Sequence, residues 1–139
     1  MLMKGRFTHN IDQKGRVFIN PKLREYIGSS FVVTNGLDNC LWAFQTSDWE
    51  KIEAELISLP KSARAIQEFM FSGAVDVEVD KQGRILIPTE LREWAGLTKE
   101  VCVLGVGNRM EIWDAKRCKD VISKISSADI EALMDKAEF

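Results

Sequence analysis

Short runs in which apolar and polar residues alternate recur along the chain and predict β-strands. In the clearest run, residues 75–79, three valines alternate with Asp76 and Glu78, as expected for a strand with one buried face. Other short apolar runs, bounded by turn-forming residues, predict strands at residues 6–11, 16–19, 31–35, 41–44, 84–87, 101–106 and 109–113. The pattern therefore predicts a chain rich in short strands.

Apolar residues at helical spacing predict longer helices between some of these strands. Positions 49, 52, 56 and 59 share one helical face, and Pro60 ends that helix. Ser47 and Glu50 have the spacing of a capping box at its start. Further helices are predicted at residues 62–71, from residue 114 onwards and at residues 128–136.

Two short helices are predicted where a proline precedes a Leu-Arg-Glu segment. The first has Pro21 in its first turn and ends near Gly28. The second has Thr89 as its N-cap and Gly96 just beyond its end.

The same unit occurs twice, 68 residues apart. Residues 12–16 read DQKGR and residues 80–84 read DKQGR, and each motif is followed by a strand and a short helix. About 45 residues of each half align in this way. Two halves of this size would each be marginally stable alone, so we expect them to pack together.

The shared positions of the two motifs predict a fold-forming turn. Asp12 and Asp80 can accept hydrogen bonds from turn N–H groups, and Gly15 and Gly83 can adopt a positive φ. Arg84 can pair with an aspartate or cover apolar surface. We therefore assign Asp12, Gly15, Asp80, Gly83 and Arg84 to the structure of the turns.

Charge differs between the two copies. The whole chain has a net charge of −2, but residues 1–24 carry +5 and residues 73–96 carry −2. Cations surround the first turn, and the candidate DNA contacts among its neighbours are Lys14, Lys4, Arg6 and His9. The alternative is an ordinary solvated charged face.

Catalytic and metal-binding patterns are weak. Gly105-Val106-Gly107 begins like a dinucleotide motif, but Met110 stands where the third glycine should be. His9 is the only histidine, and the three cysteines have neither zinc-site spacing nor an even number for a disulfide framework. We expect no cofactor, no small-molecule substrate and no enzymatic activity.

Apolar runs are too short to span a bilayer, which needs about 18 residues. With the unpaired cysteines, this predicts a soluble protein of the reducing cytoplasm, not a membrane protein.

The tandem motifs Asp12–Arg16 and Asp80–Arg84, with the Arg-Ile-Leu-Ile-Pro element at residues 84–88 and the terminal helices, resemble the MraZ family of bacterial transcriptional regulators. The resemblance covers essentially the whole chain. The first copy departs from the second by having Asn20-Pro21 in place of Ile87-Pro88, which shifts the proline by one position.

The resemblance implies an α+β fold of two tandem AbrB-like swapped-hairpin units that form a pseudo-symmetric β-barrel protomer with flanking helices. The expected division is an AbrB-like domain at 5–48, a helical connection at 49–75, a second domain at 76–119 and a C-terminal helix at 120–139.

The resemblance also implies a function. It predicts a nucleoid-associated regulator, usually a repressor, that binds direct repeats in double-stranded promoter DNA of its own cell-division and cell-wall operon. It predicts a homo-oligomeric ring of about eight subunits and assigns the DNA contact to Arg16. The alternative is a ring-forming protein-interaction scaffold or antidote-type partner on the same fold.

Overall fold

Eight strands and six helices make up the computed structural model, which describes residues 1–138. The strands are β1 (Met3–Asn10), β2 (Arg16–Phe18), β3 (Ser30–Asn35), β4 (Leu41–Gln45), β5 (Val75–Glu78), β6 (Arg84–Leu86), β7 (Glu100–Gly107) and β8 (Arg109–Asp114). The helices are α1 (Pro21–Ile27), α2 (Thr46–Ile57), α3 (Arg64–Gly73), α4 (Thr89–Ala95), α5 (Ala115–Ser123) and α6 (Ser127–Lys136), with a 3₁₀ turn at Lys61–Ala63. The predicted α+β class is confirmed.

The two copies exchange their first strands. Strand β1 of copy one pairs with β7 of copy two over its whole length, and β5 of copy two pairs with β3 of copy one. These pairs lie in a six-stranded antiparallel sheet of order β1-β7-β8-β4-β3-β5, while β2 and β6 form a separate two-stranded ribbon. The predicted β-barrel is not found within residues 1–138: β1 and β5 are the two edges of the six-stranded sheet and do not pair with each other, so the sheet stays open.

One hydrophobic core contains residues of both copies. Val17 of β2 lies opposite Ile85 of β6, and both side chains are fully buried. Ile19 and Ile87 follow them into the same core. Burial of a side chain of this size contributes about 1.5–3 kcal/mol, so each copy depends on the other for stabilisation. The halves therefore pack together, as the repeat predicts.

Two smaller clusters hold the longer helices against the large sheet. Trp49 of α2 and Met70 of α3 pack with Val32 on one side. Cys118 of α5 packs with Trp113 and other residues in the second cluster. All three cysteines are buried and free.

Side-chain caps begin three of the helices among residues 1–138, and the one at α6 is Ser126, whose hydroxyl accepts from the backbone N–H of Asp129 at 3.3 Å. Asn20 accepts a hydrogen bond from the backbone N–H of Lys22, and Pro21 occupies the first turn of α1. The proline shift between the copies therefore gives α1 a side-chain cap. Asp114 caps α5 in the same way, and Gly96 ends α4 in the left-handed conformation, as predicted.

Two predicted N-caps are wrong. Thr89 is the first residue of α4, and its hydroxyl accepts from Arg92 Nη2 at 3.0 Å. Ser47 lies inside α2, which begins at Thr46, and its hydroxyl donates to the side chain of Gln45. In both cases the hydroxyl forms a hydrogen bond with a nearby side chain, and not with the helix backbone N–H group that the sequence motif predicts.

Strand β1 begins three residues earlier than predicted, at Met3, because β7 provides backbone partners as far as Gly107. Met3 is buried, although the residues around it are exposed. Among residues 1–138 there is no helix with the length and apolar character required to cross a membrane.

Candidate nucleic-acid interface

The first DxxGR motif folds into a turn that is organised by its aspartate. Asp12 Oδ1 accepts hydrogen bonds from the backbone N–H groups of Lys14 at 3.0 Å and Arg16 at 2.8 Å. The N–H of Gly15 donates to the backbone carbonyl of Asp12 at 3.0 Å, and Gly15 has a φ of 91°. Only glycine adopts this conformation without strain, so the motif fixes the backbone that carries the two neighbouring cations.

The second motif repeats this turn. Asp80 Oδ1 accepts from the backbone N–H groups of Gln82 at 2.8 Å and Arg84 at 2.9 Å. Gly83 has a φ of 81° and donates to the carbonyl of Asp80. The backbone hydrogen bonds of the two turns thus match one by one, despite the different charges around them.

The ribbon places the two turns side by side. Ile19 N–H donates to the carbonyl of Gly83 at 2.8 Å, and Ile87 N–H donates to the carbonyl of Gly15 at 2.8 Å. Each turn is therefore held by the strand of the other copy. We call the surface formed by residues 12–18 and 80–86 the paired-turn face.

The arginines of the two motifs have different partners. Arg16 Nε lies 2.6 Å from Asp12 Oδ2, in a direct ion pair. Arg84 Nε lies 3.5 Å from Asp80 Oδ2, and its Nη1 lies 3.6 Å from Asp12 Oδ2. Asp12 therefore contacts both guanidinium groups, and Arg84 is shared between the two turns.

The free edge of Arg16 is suited to an external acceptor. The Nε of Arg16 donates to Asp12, whereas neither Nη of Arg16 donates a hydrogen bond within the described part of the chain. About a third of the Arg16 side chain is exposed. An arginine presented in this way can donate two parallel hydrogen bonds to a phosphate or to a guanine edge.

Two further arginines cover the turns from the opposite copy, and sequence reasoning did not identify them. A Cβ atom at Gly15 would lie 2.7 Å from Arg92 Nε, and one at Gly83 would lie 3.6 Å from Arg24 Nη1. Arg24 and Arg92 are equivalent members of the repeated Leu-Arg-Glu segment. That repetition was the only sequence signal for them.

The paired-turn face has a formal charge of +2 on a chain with a net charge of −2. Its two carboxylates, Asp12 and Asp80, are outnumbered by the four cations Lys14, Arg16, Lys81 and Arg84. A concentrated patch of this sign attracts polyanions even when the whole protein is acidic.

Lys4 and Arg6 do not join this patch. Both lie on the exposed face of β1, and extended chain rises about 3.3 Å per residue, so their Cα atoms are about 20 and 13 Å from that of Asn10 at the end of the strand. Arg6 instead lines a crevice beside helix α5. The structure thus brings Lys14 and Arg16 together and leaves Lys4 and Arg6 apart.

His9 packs against the ribbon. Its ring lies edge-on to Phe18 with 5.1 Å between ring centres, and Nε2 is buried with no partner among residues 1–138. Burial lowers the pKa of His9 below its ordinary value of 6.5, so the imidazole is neutral at pH 7. His9 therefore adds no charge to the surface.

Comparison with known proteins agrees with the repeat. A family model described as "MraZ protein, putative antitoxin-like" matches the chain twice, over residues 2–69 and residues 70–137. The chain belongs to the MraZ family. The two matches reproduce the 68-residue offset between the DxxGR motifs.

Curated MraZ proteins resemble the chain over most of its length. A protein of Acetivibrio thermocellus named transcriptional regulator MraZ is 53% identical over 116 residues, or 81% of each chain. Proteins with the same name from Halothermothrix orenii and Caldanaerobacter subterraneus are 49% and 46% identical, and the second match covers 96% of this chain and 95% of the relative. The similarity therefore extends across both MraZ repeats.

Residues 1–138 of this MraZ-family chain contain no group of three or more His, Cys, Asp or Glu side chains placed to hold a metal ion. The chemistry that the paired-turn face offers is hydrogen-bond donation from fixed cations.

We predict that Asp12 titrates far below an ordinary aspartate. The hydrogen bond from the Arg16 backbone N–H is the largest cause that lowers its pKa, from 3.8 to about 2, with smaller contributions from the Arg16 side chain and Lys14 N–H. The ionised carboxylate therefore stabilises the turn above pH 3.8, and this contribution is lost as the pH falls towards 2. Carbon-13 NMR of the carboxyl group measures the midpoint.

Replacing Arg16 by glutamine provides the control for that titration. The backbone N–H at position 16 remains, so we expect the pKa of Asp12 to stay below 3.8 in this variant. A return of the midpoint to 3.8 would show that the side-chain ion pair, and not the turn, holds the carboxylate.

Proposed function

We propose that this MraZ-family protein is a DNA-binding transcriptional regulator that contacts promoter DNA with its paired-turn face. The observation that carries the proposal is the geometry of Arg16: Asp12 binds its Nε, neither Nη has a hydrogen-bond partner among residues 1–138, and about a third of the side chain is exposed. The curated relatives, which are named transcriptional regulators, support the same role. Binding, and not catalysis, is the activity.

Two kinds of DNA contact have different roles at this face. Lys14 and its cationic neighbours neutralise phosphates, which gives affinity that depends on salt and not on sequence. Arg16 reads base edges or a fixed phosphate position, which gives specificity. Each neutralised phosphate contributes about −0.9 to the slope of log affinity against log salt, so one protomer with two to four contacts binds weakly.

Assembly compensates for the weakness of a single protomer. We assign the protein a ring of about eight subunits that engages direct repeats in the promoter of its own cell-division and cell-wall operon, usually as a repressor. This part rests on the resemblance to the MraZ family. Several linked paired-turn faces on one ring gain affinity through effective concentration, provided that the DNA repeats match their spacing.

The proposed division of the chain into two AbrB-like units also rests on the resemblance to the MraZ family. The exchange of β1 and β5 between the copies is the pairing expected if two AbrB-like swapped hairpins, at 5–48 and 76–119, are fused in one chain. The helices between 49 and 75 and after 120 then flank the pseudo-symmetric unit. In this arrangement the protein resides in the cytoplasm, with its DNA in the nucleoid.

A protein-interaction role is the second candidate, because one surface is strongly apolar. Leu37, Trp42, Ile66, Phe69 and Met70 line a groove of about 460 Å³ between the β3–β4 turn and helix α3. Leu37 is 61% exposed and Ile66 is 49% exposed, so this groove can receive an apolar partner. Such an antidote-type or scaffold role predicts binding that is insensitive to salt.

Fluorescence anisotropy with a duplex from upstream of the protein's own reading frame separates the two functions. We expect tight binding to a duplex with intact repeats, much weaker binding to a scrambled duplex, and a steep loss of affinity between low and high salt. Equal affinity for both duplexes, or affinity that does not change with salt, would contradict the DNA-binding proposal.

A further inference from the structure

A crevice between strands β1 and β7 and helix α5 has two cations on its rim. Arg6 from β1 and Lys119 from α5 both line it, and its volume is about 400 Å³. Neither side chain forms an ion pair in residues 1–138, and Glu100 is the one carboxylate on the rim. Thr8 and Ser123 also line the crevice, and the Ser123 hydroxyl donates to the backbone carbonyl of Asp120 at 2.8 Å, so its oxygen is left as an acceptor.

The floor of this crevice is apolar and uncharged. Cys102 and Cys118 lie in it and are almost fully buried, and Ile122 adds further apolar surface. Burial, together with the neighbouring Cys118, raises the pKa of Cys102 to about 12, so its thiol stays neutral at pH 7. Small-molecule sites in proteins share this combination of an apolar base and a few polar groups, in volumes of about 300–1,000 Å³.

The other copy provides an internal comparison. The equivalent crevice, between β3, β5 and α2, is lined by three carboxylates, Glu50, Glu53 and Asp76, and by no cation. Ala74 stands where the first crevice has Arg6, and Glu50 stands where it has Lys119. The fold therefore forms the crevice twice, but only the one beside β1 and α5 carries the charges that an anion requires.

The bulk of the floor also differs between the copies. Trp49 occupies the position equivalent to Cys118 and packs against Phe44 and Phe71. The smaller cysteine leaves space over the floor of the cationic crevice. Charge and volume thus change together at equivalent positions.

We propose that the crevice lined by Arg6 and Lys119 is a binding site for a small organic anion, with a phosphate or carboxylate group between the two cations and an apolar body on the cysteine floor. The site is separate from the paired-turn face, and the proposal does not depend on DNA binding. Arg6 thereby changes from a candidate DNA contact to a ligand-binding residue.

Isothermal titration calorimetry with phenyl phosphate tests the site, because this probe has both the anionic group and the apolar body. We expect one site per protomer in the whole protein. Binding by inorganic phosphate, which lacks the apolar body, and by phenyltrimethylammonium, which has the opposite charge, should be at least tenfold weaker. Equal binding of inorganic phosphate, or no binding of phenyl phosphate at millimolar concentration, would overturn the proposal.

Matched variants locate the site. We expect Arg6→Gln combined with Lys119→Gln to weaken phenyl phosphate at least tenfold, and Glu50→Gln combined with Glu53→Gln in the acidic crevice to leave it unchanged. All four side chains lie on exposed or half-exposed positions, so circular dichroism should report intact folding. Unchanged binding in the first pair would overturn the assignment.

DNA affinity of the Arg6→Gln variant distinguishes this site from the paired-turn face. We expect promoter affinity and its salt slope to match the wild-type protein. A fall in promoter affinity together with a shallower salt slope would show that Arg6 contacts phosphates of DNA, and the proposal would be wrong even if regulation by DNA binding holds.

Discussion

Replacing Arg16 with alanine should abolish specific promoter binding while the protein still folds and assembles. A well-placed arginine contact to a base edge contributes about 1–3 kcal/mol, or about fivefold to about 150-fold in affinity, at each engaged protomer. In the proposed ring, this loss multiplies over the protomers that bind one DNA. Gel-shift titration with and without the intact repeats measures the effect.

The fold should tolerate this change because the turn does not depend on the arginine side chain. Asp12 keeps its hydrogen bonds to two backbone N–H groups, and Arg84 Nη1 lies 3.6 Å from its second oxygen. Light scattering and circular dichroism should therefore match the wild-type protein. A loss of folding or assembly in Arg16→Ala would mean that the ion pair is structural and that the DNA result carries no information about contact.

Two controls accompany this variant. Arg64 also pairs with an acid four residues away, Glu68, but in helix α3, so Arg64→Ala should leave DNA affinity unchanged apart from a small effect of net charge. Arg84→Ala should reduce stability or assembly more than DNA contact, because Arg84 bridges the two turns. If Arg84→Ala alone removed DNA binding in a correctly assembled protein, the roles of the two copies would be reversed.

Of the substitutions proposed here, replacing Gly15 with alanine should lower the free energy of unfolding most. Left-handed backbone costs a non-glycine residue about 1–2 kcal/mol, and the new Cβ would lie 2.7 Å from the carbonyl oxygen of Ile87. That oxygen cannot move freely, since it accepts from Arg92 Nε at 3.0 Å. Overpacking of this kind adds about 1–3 kcal/mol, so we expect a total of at least about 2 kcal/mol in urea denaturation at fixed protomer concentration.

Gly96→Ala is the matched control for the clash. Gly96 also has a positive φ, of 61°, but a Cβ there would meet no atom within 4 Å. This variant should lose only the conformational part, about 1–2 kcal/mol. Equal losses in the two variants would show that the contact between Gly15 and the opposite copy does not constrain the turn.

The sequence predicted the local elements well because their signals are local. Alternation at residues 75–79 and the glycines of the two motifs indicate a strand and turns whatever lies around them. The exchange of first strands could not be predicted from this pattern. The apolar run at residues 6–11 indicates a strand but not that β7 pairs with it, because the partner of a strand is determined by the whole fold.

At the candidate site too, the sequence predicts contacts within one turn but not contacts between distant segments. Lys14 and Arg16 belong to one turn, so their proximity could be predicted from the sequence. Arg6 is only a few residues away along the chain, but extended backbone carries it to another surface, and charge counting could not separate the two. Arg24 and Arg92 reach the turns only across the interface between the copies, which no local motif encodes.

A structure of the assembled protein bound to a promoter duplex with intact repeats tests the central claim most directly. We predict that DNA lies across the paired-turn face, with an Nη atom of Arg16 within about 3 Å of a base edge or phosphate oxygen, and with Arg6 away from the duplex. DNA bound on another surface, with the guanidinium of Arg16 still facing solvent, would contradict it.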